Sequence, residues 1–119
     1  MNHRFSVRVP LRVEVKLSRH GNDLGRYMTR DIDSDGAYLE TGQLVVFPNE
    51  IVDVGIRFPG ENSGNLSIKG MIVRTTSQGI GLMFTESSEE LDRHIGRLIQ
   101  ELLEIEMVRS PAERRRAVG

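Results

Sequence analysis

The sequence predicts an antiparallel all-β domain, closed or sandwiched, followed by one C-terminal helix. Three observations predict it. Residues 9–17 (VPLRVEVKL) alternate, with Val9, Leu11, Val13, Val15 and Leu17 on one face and Arg12, Glu14 and Lys16 on the other; that is the period of a half-buried strand. Turn-forming clusters then recur about every 8–12 residues, the rhythm of short antiparallel strands. After Phe84 the apolar period lengthens to that of a helix.

The elements follow in order. HGND (20–23) is a turn, and Tyr27 to Ile32 reads as a strand broken by Ser34-Asp35-Gly36. AYLET (37–41) is a short strand, and Pro48-Asn49 a turn. In IVDVGIRF (51–58), Val52, Val54, Ile56 and Phe58 alternate with Ile51, Asp53, Gly55 and Arg57. PGENSGN (59–65) is the clearest loop. LSIKGMIVRTT (66–76) is a long strand with Gly70 as its expected bulge. IGLMF (80–84) closes the β body. Ser87 and Glu90 form a capping box. Leu91, Ile95, Leu98, Leu102 and Ile105 then mark an amphipathic helix over about 87–106 that covers the open end of the β body. Pairing with a second copy through that helix is the alternative use of its stripe. Residues 1–106 are thus one domain, and 107–119 a basic flexible tail.

Composition narrows the function. A chain of 119 residues and 13.4 kDa holds one domain. It has no cysteine, which excludes a disulfide framework, thiolate zinc ligands and thiol catalysis. No apolar run approaches the ~20 residues that span a bilayer, and MNHRFSVRVP lacks the apolar core of a secretory signal. A reducing cytoplasm is the expected location, with no membrane insertion. With no Trp, two Tyr and four Phe, the chain lacks the aromatics of a stacking platform for a nucleic-acid polymer. His3, His20 and His94 are scattered, and no G-x-S-x-G, H-E-x-x-H or P-loop occurs. No catalysis, cofactor or metal is expected. Charge is uneven: Arg4, Arg8, Arg12, Lys16 and Arg19 crowd the start, and Arg109, Arg114, Arg115 and Arg116 the end. A net charge of −1 therefore leaves the middle acidic. A basic arm on an acidic body either folds back or captures an anion.

Two motifs stand out. Asp31-Ile32-Asp33-Ser34-Asp35-Gly36 has the D-x-D-x-D-G spacing of the first half of a calcium loop. The loop's twelfth position is Gly42 where a bidentate Glu belongs, and the flanks read as strands, so a calcium-binding β module ranks low. Arg4-Phe5-Ser6-Val7-Arg8 places two arginines four apart, ahead of Val9-Pro10 and the first strand. Their planar forks pair bidentately with phosphate or with the O6/N7 edge of guanine.

Together the motifs resemble the PilZ domain, whose signature is R-x-x-x-R before a strand and D-x-S-x-x-G further on. Arg4 and Arg8 match the first motif, and Asp31 and Gly36 the second; Gly79-Ile80-Gly81-Leu82-Met83-Phe84 is similar to the family's closing strand. The resemblance covers residues 3 to about 85. It implies a six-stranded antiparallel β-barrel of Greek-key type with a C-terminal helix. It implies binding of the bacterial second messenger cyclic di-GMP and signalling to a protein partner, here an unknown downstream protein. Arg4 and Arg8 would stack on guanine and bond phosphate, Asp31 would accept from the guanine N1–H and N2 amine, and Gly36 would let the backbone approach the ligand. The arm would order on binding. One departure is plain: Asp33 stands where the family has serine, and serine has moved to Ser34. Beside a phosphate, at an effective dielectric of ~20 and a separation of ~5 Å, that carboxylate costs ~3 kcal/mol; facing the guanine amine it becomes favourable. A divergent PilZ adaptor that binds protein and not nucleotide is the alternative function.

Overall fold

The computed structural model describes residues 10–60 and 64–118, with the backbone alone for 105–118. Six strands and one helix follow in chain order: β1 (Glu14–Arg19), β2 (Asn22–Ile32), β3 (Gly36–Glu40), β4 (Ile51–Arg57), β5 (Asn65–Thr75), β6 (Ile80–Phe84) and α1 (Glu89–Val118). Every strand pairing is antiparallel, and the order β1-β2-β3-β6-β5-β4 closes through β1 and β4 into a barrel. The expected six-stranded barrel with a C-terminal helix is the observed fold.

Alternation sets the barrel's interior. Leu11, Val13, Val15 and Leu17 are buried, as are Val52, Val54, Ile56 and Phe58, the same faces the sequence marks. Val9 lies outside the described residues. β1 is shorter than expected because residues 10–13 are not strand, yet Leu11 and Val13 still enter the core. β2 starts earlier than Tyr27, since the turn needs only His20 and Gly21. Both have positive φ, 51° and 79°, the primed geometry that suits a two-residue hairpin.

Gly70 is not a bulge. It faces inward on β5, where a Cβ would stand 3.1 Å from Val54 Cγ2, so its role is to leave room for that side chain. The register shift of β5 falls instead between Ile72 and Arg74. A second shift falls in β2, between Thr29 and Asp31, and a third in the β1–β2 pairing, between Leu17 and Ser18.

Helix α1 closes one end of the barrel with Leu91, Ile95 and Leu98, all buried in the common core. This is the covering role expected of the stripe. Its cap is one residue later than the sequence suggests. Ser88 Oγ accepts from Leu91 N at 3.1 Å, so Ser88 is the N-cap, Leu91 occupies N3, and the Ser87–Glu90 box does not form. The helix also continues past 106 to Val118, through the segment expected as a flexible tail. Among the described residues, no helix is long and apolar enough to cross a membrane.

Candidate functional site

The turn between β2 and β3 is built around Asp33. Its Oδ1 accepts from Asp35 N at 2.7 Å and Gly36 N at 2.8 Å. Its own N–H donates to the Gly36 carbonyl at 2.9 Å. Asp33 is only 5% exposed, so the carboxylate replaces water for backbone donors that the tight bend would leave unpaired. That oxygen is committed to the turn. Gly36 opens β3 without entering the positive-φ region; its N–H and C=O both bind Asp33.

Ser34, also buried, donates through Oγ to Asp92 Oδ1 at 2.6 Å, and Phe84 N donates to the Asp35 carbonyl at 2.7 Å. The turn is thereby fastened to the first turn of α1 and to the end of β6. Asp31, Asp33 and Asp35 do not gather as cation ligands: among the described residues, no group of three His, Cys, Asp or Glu side chains is placed to hold a metal.

Asp31 sits two residues before the turn, and the β2 bulge determines which way it faces. Thr29 and Ile32 both point into the core, 0% and 1% exposed. In an unbroken strand residues three apart face opposite ways. The extra residue lets Arg30 and Asp31 stand side by side on the outer surface, where Arg30 Nε meets Asp31 Oδ2 at 3.4 Å. The Asp31 side chain is 22% exposed.

Arg4 and Arg8 lie outside the described residues. The root of their arm does not. Thr29 Oγ1 donates to the Leu11 carbonyl and accepts from Val13 N at 2.9 Å, and Thr29 N donates to the Val13 carbonyl at 3.0 Å. Glu14 pairs with Met28, so moving from Glu14 back to Leu11 advances along β2 toward Asp31. Thr29 therefore anchors the segment that follows Arg8 two residues from Asp31.

Sequence reasoning missed the neighbours of Asp31. Arg30 lies over the Tyr38 ring, 3.9 Å from its centroid, and Arg74 approaches the same ring at 5.6 Å. The Tyr38 hydroxyl bonds Thr76 Oγ1 at 2.8 Å. No spacing in the sequence announces this group, because Asp31 and Arg74 reach the outer surface only through bulges. The hollow along β1 and β4, lined by residues including Glu14, Lys16, Arg26 and Arg57, shares no lining residue with the turn. It lacks the signature groups, so the chemistry points to the turn and not to this hollow.

Comparison with known proteins agrees with this architecture. The fold is similar to that of the Bacillus subtilis inhibitor of motility (MotI/DgrA), with a TM-score of 0.65 and 14% identity; 92% of this chain is covered, and it spans about half (53%) of that one. It is also similar to the PilZ domain of CeSA from a cellulose-synthesizing bacterium, with a TM-score of 0.58 and 18% identity over 82% of this chain and 98% of that one. No curated protein matches the chain in sequence. The family model for the PilZ domain matches residues 2–101, which include both arginines and the whole β2–β3 turn. The chain belongs to the PilZ domain family.

Proposed function

We propose that this chain is a receptor for cyclic di-GMP that binds the nucleotide between its N-terminal arginine arm and the β2–β3 turn, and passes the signal to a protein partner without catalysis of its own. PilZ domains are receptor domains for this messenger. The observation that carries the reading to this chain is the Thr29 anchor: it brings the root of the arm to within two residues of an outward-facing Asp31.

Roles divide by chemistry. Arg4 and Arg8 supply charge-assisted bonds to phosphate and guanine. Asp31 accepts from the guanine edge. Asp33 and Gly36 shape the bend, and because one Asp33 oxygen is held by two backbone N–H groups, its charge is partly answered before any phosphate arrives. Calorimetric titration with cyclic di-GMP tests the reading: dissociation constants at or below micromolar support it, and silence at millimolar nucleotide removes it. Arg4→Ala and Arg8→Ala each cost at least ~1.5 kcal/mol of binding, about tenfold; unchanged affinity in both takes the arm out of the site.

The adaptor reading draws on a different observation. Ile51, Met71 and Met83 form one cross-strand row on the outer face of β4, β5 and β6, with Ile51 and Met83 among the exposed large apolar side chains. Such a row suits a protein partner. Silence toward nucleotide would leave it as the working face.

A further inference from the structure

Four neighbouring strands place Asp31, Tyr38, Gly81 and Arg74 in one row across the outer surface of β2, β3, β6 and β5. A bulge interrupts the strand at each end of the row, at Arg30 in β2 and at Val73 in β5. Bulges re-aim side chains, and these two aim Arg30 and Arg74 at one tyrosine. Gly81 contributes no side chain, so Arg74 lies across it, its Nε 3.9 Å from where a Cβ would be. Tyr38 itself is fixed, since its hydroxyl bonds Thr76 and its ring would touch a Cβ on Gly79 at 3.0 Å. Gly79 admits no other residue: an added Cβ would stand 2.0 Å from the Leu39 carbonyl oxygen.

We propose that Arg30 and Arg74, braced on Tyr38, are ligand-binding residues that form a cationic shelf for the half of the cyclic dinucleotide that Asp31 does not reach. This rests on the receptor reading. Cyclic di-GMP has two guanines and two phosphates, and one carboxylate can read only one guanine edge. The Arg30 guanidinium lies over the Tyr38 ring, its Nε meets Asp31, and the side chain remains 53% exposed. A guanidinium held flat by an aromatic ring is ready to stack on a purine at little entropic cost. Arg74 is exposed and has no carboxylate partner among the described residues, so its donors suit phosphate.

The rival role is structural, with both arginines merely shielding Tyr38 from water. Titration of the full chain with cyclic di-GMP, run beside thermal melts, separates the two. Arg30→Ala and Arg74→Ala each weaken binding about tenfold, as expected for loss of a charge-assisted contact. Their melting temperatures stay within about 2 °C of the parent, because both side chains are exposed. Arg30→Lys remains weakened, since an ammonium has charge but no plane; full recovery by lysine would overturn the stacking role. Parental affinity in both alanine variants, while Asp31→Ala binds poorly, overturns the shelf and leaves the receptor intact. A parent chain that gives no heat with cyclic di-GMP overturns the receptor reading, and the shelf with it.

Discussion

Helix α1 meets the barrel polar groups at two places, and they are held by different chemistry. At its first turn, Asp92 takes a short hydrogen bond from Ser34 in the β2–β3 turn. Further along, the His94 ring stacks on Phe58 at 4.1 Å with the planes 7° apart, and Arg97 donates to the Pro59 carbonyl at 3.1 Å. The first contact is directional and joins the helix to the candidate site. The second is mostly packing, and among the described residues Arg97 Nε and Nη1 are buried without a hydrogen-bond partner. Unpaired buried donors cost stability, so the second contact is the weaker clamp per group. The Ser34–Asp92 bond is thus the proposed route from the candidate site to the helix, with the loop end as a support.

Asp33→Ala tests the turn side with the largest effect. It strips the acceptor from two backbone N–H groups, one of them buried, and should lower unfolding free energy by about 3 kcal/mol. Urea unfolding followed by circular dichroism measures it. Asp33→Asn keeps the acceptor oxygen and should recover at least half of the loss. If alanine costs no more than asparagine, the turn does not depend on that oxygen.

Ser34→Ala is next. It removes the bond between turn and helix and leaves the half-buried Asp92 carboxylate one donor short, a cost of about 1.5 kcal/mol. It also severs the proposed route from site to helix. Hydrogen exchange in the first two turns of α1 should respond to cyclic di-GMP in the parent and not in Ser34→Ala. An equal response in both would place the coupling elsewhere.

Ser88→Ala should cost about 1 kcal/mol, the usual loss of an N-cap, while Ser87→Ala should be nearly silent. Two adjacent serines carry identical cap chemistry, so the sequence alone favours the one with Glu three residues on. The structure chooses Ser88 because Leu91 must enter the core at N3. Melting both variants decides between the two assignments.

That pattern holds across the molecule. The interior was legible wherever strands are regular: the buried faces of β1 and β4 follow directly from alternation. The bend at Asp31–Gly36 was legible as a motif, though not the way Asp33 is spent on backbone. What could not be read was everything that depends on register between strands. Asp31 stands outside beside Arg30, and Arg74 beside Val73, only because each strand slips by one residue against its neighbour, and no local periodicity encodes a slip. Gly70 shows the same limit in reverse, a glycine kept for the Val54 side chain across the sheet rather than for a bulge of its own strand. The apolar stripe of α1 marked the docked portion, and gave no sign that the backbone stays helical beyond it.

The smallest predicted effect belongs to the loop side. Burial against Phe58, and then the Arg97 charge with a lesser push from Arg93, hold the His94 pKa below 6.5, with Glu90 opposing. The unfolded chain keeps the ordinary value, so below about 6.5 it binds a proton that the folded chain refuses. The stability due to neutral His94 is thus full above that pH, falls as pH drops through it, and levels off below the folded-state pKa. Partial exposure and screening keep the slope shallow. His94→Phe should retain the stack on Phe58 and flatten the difference in melting temperature between pH 7.5 and 5.5, with His3 and His20 cancelling in the comparison. An undiminished slope would mean that the proton enters elsewhere. A slope of opposite sign would mean that His94 is held as its cation, and that the loop contact is electrostatic after all.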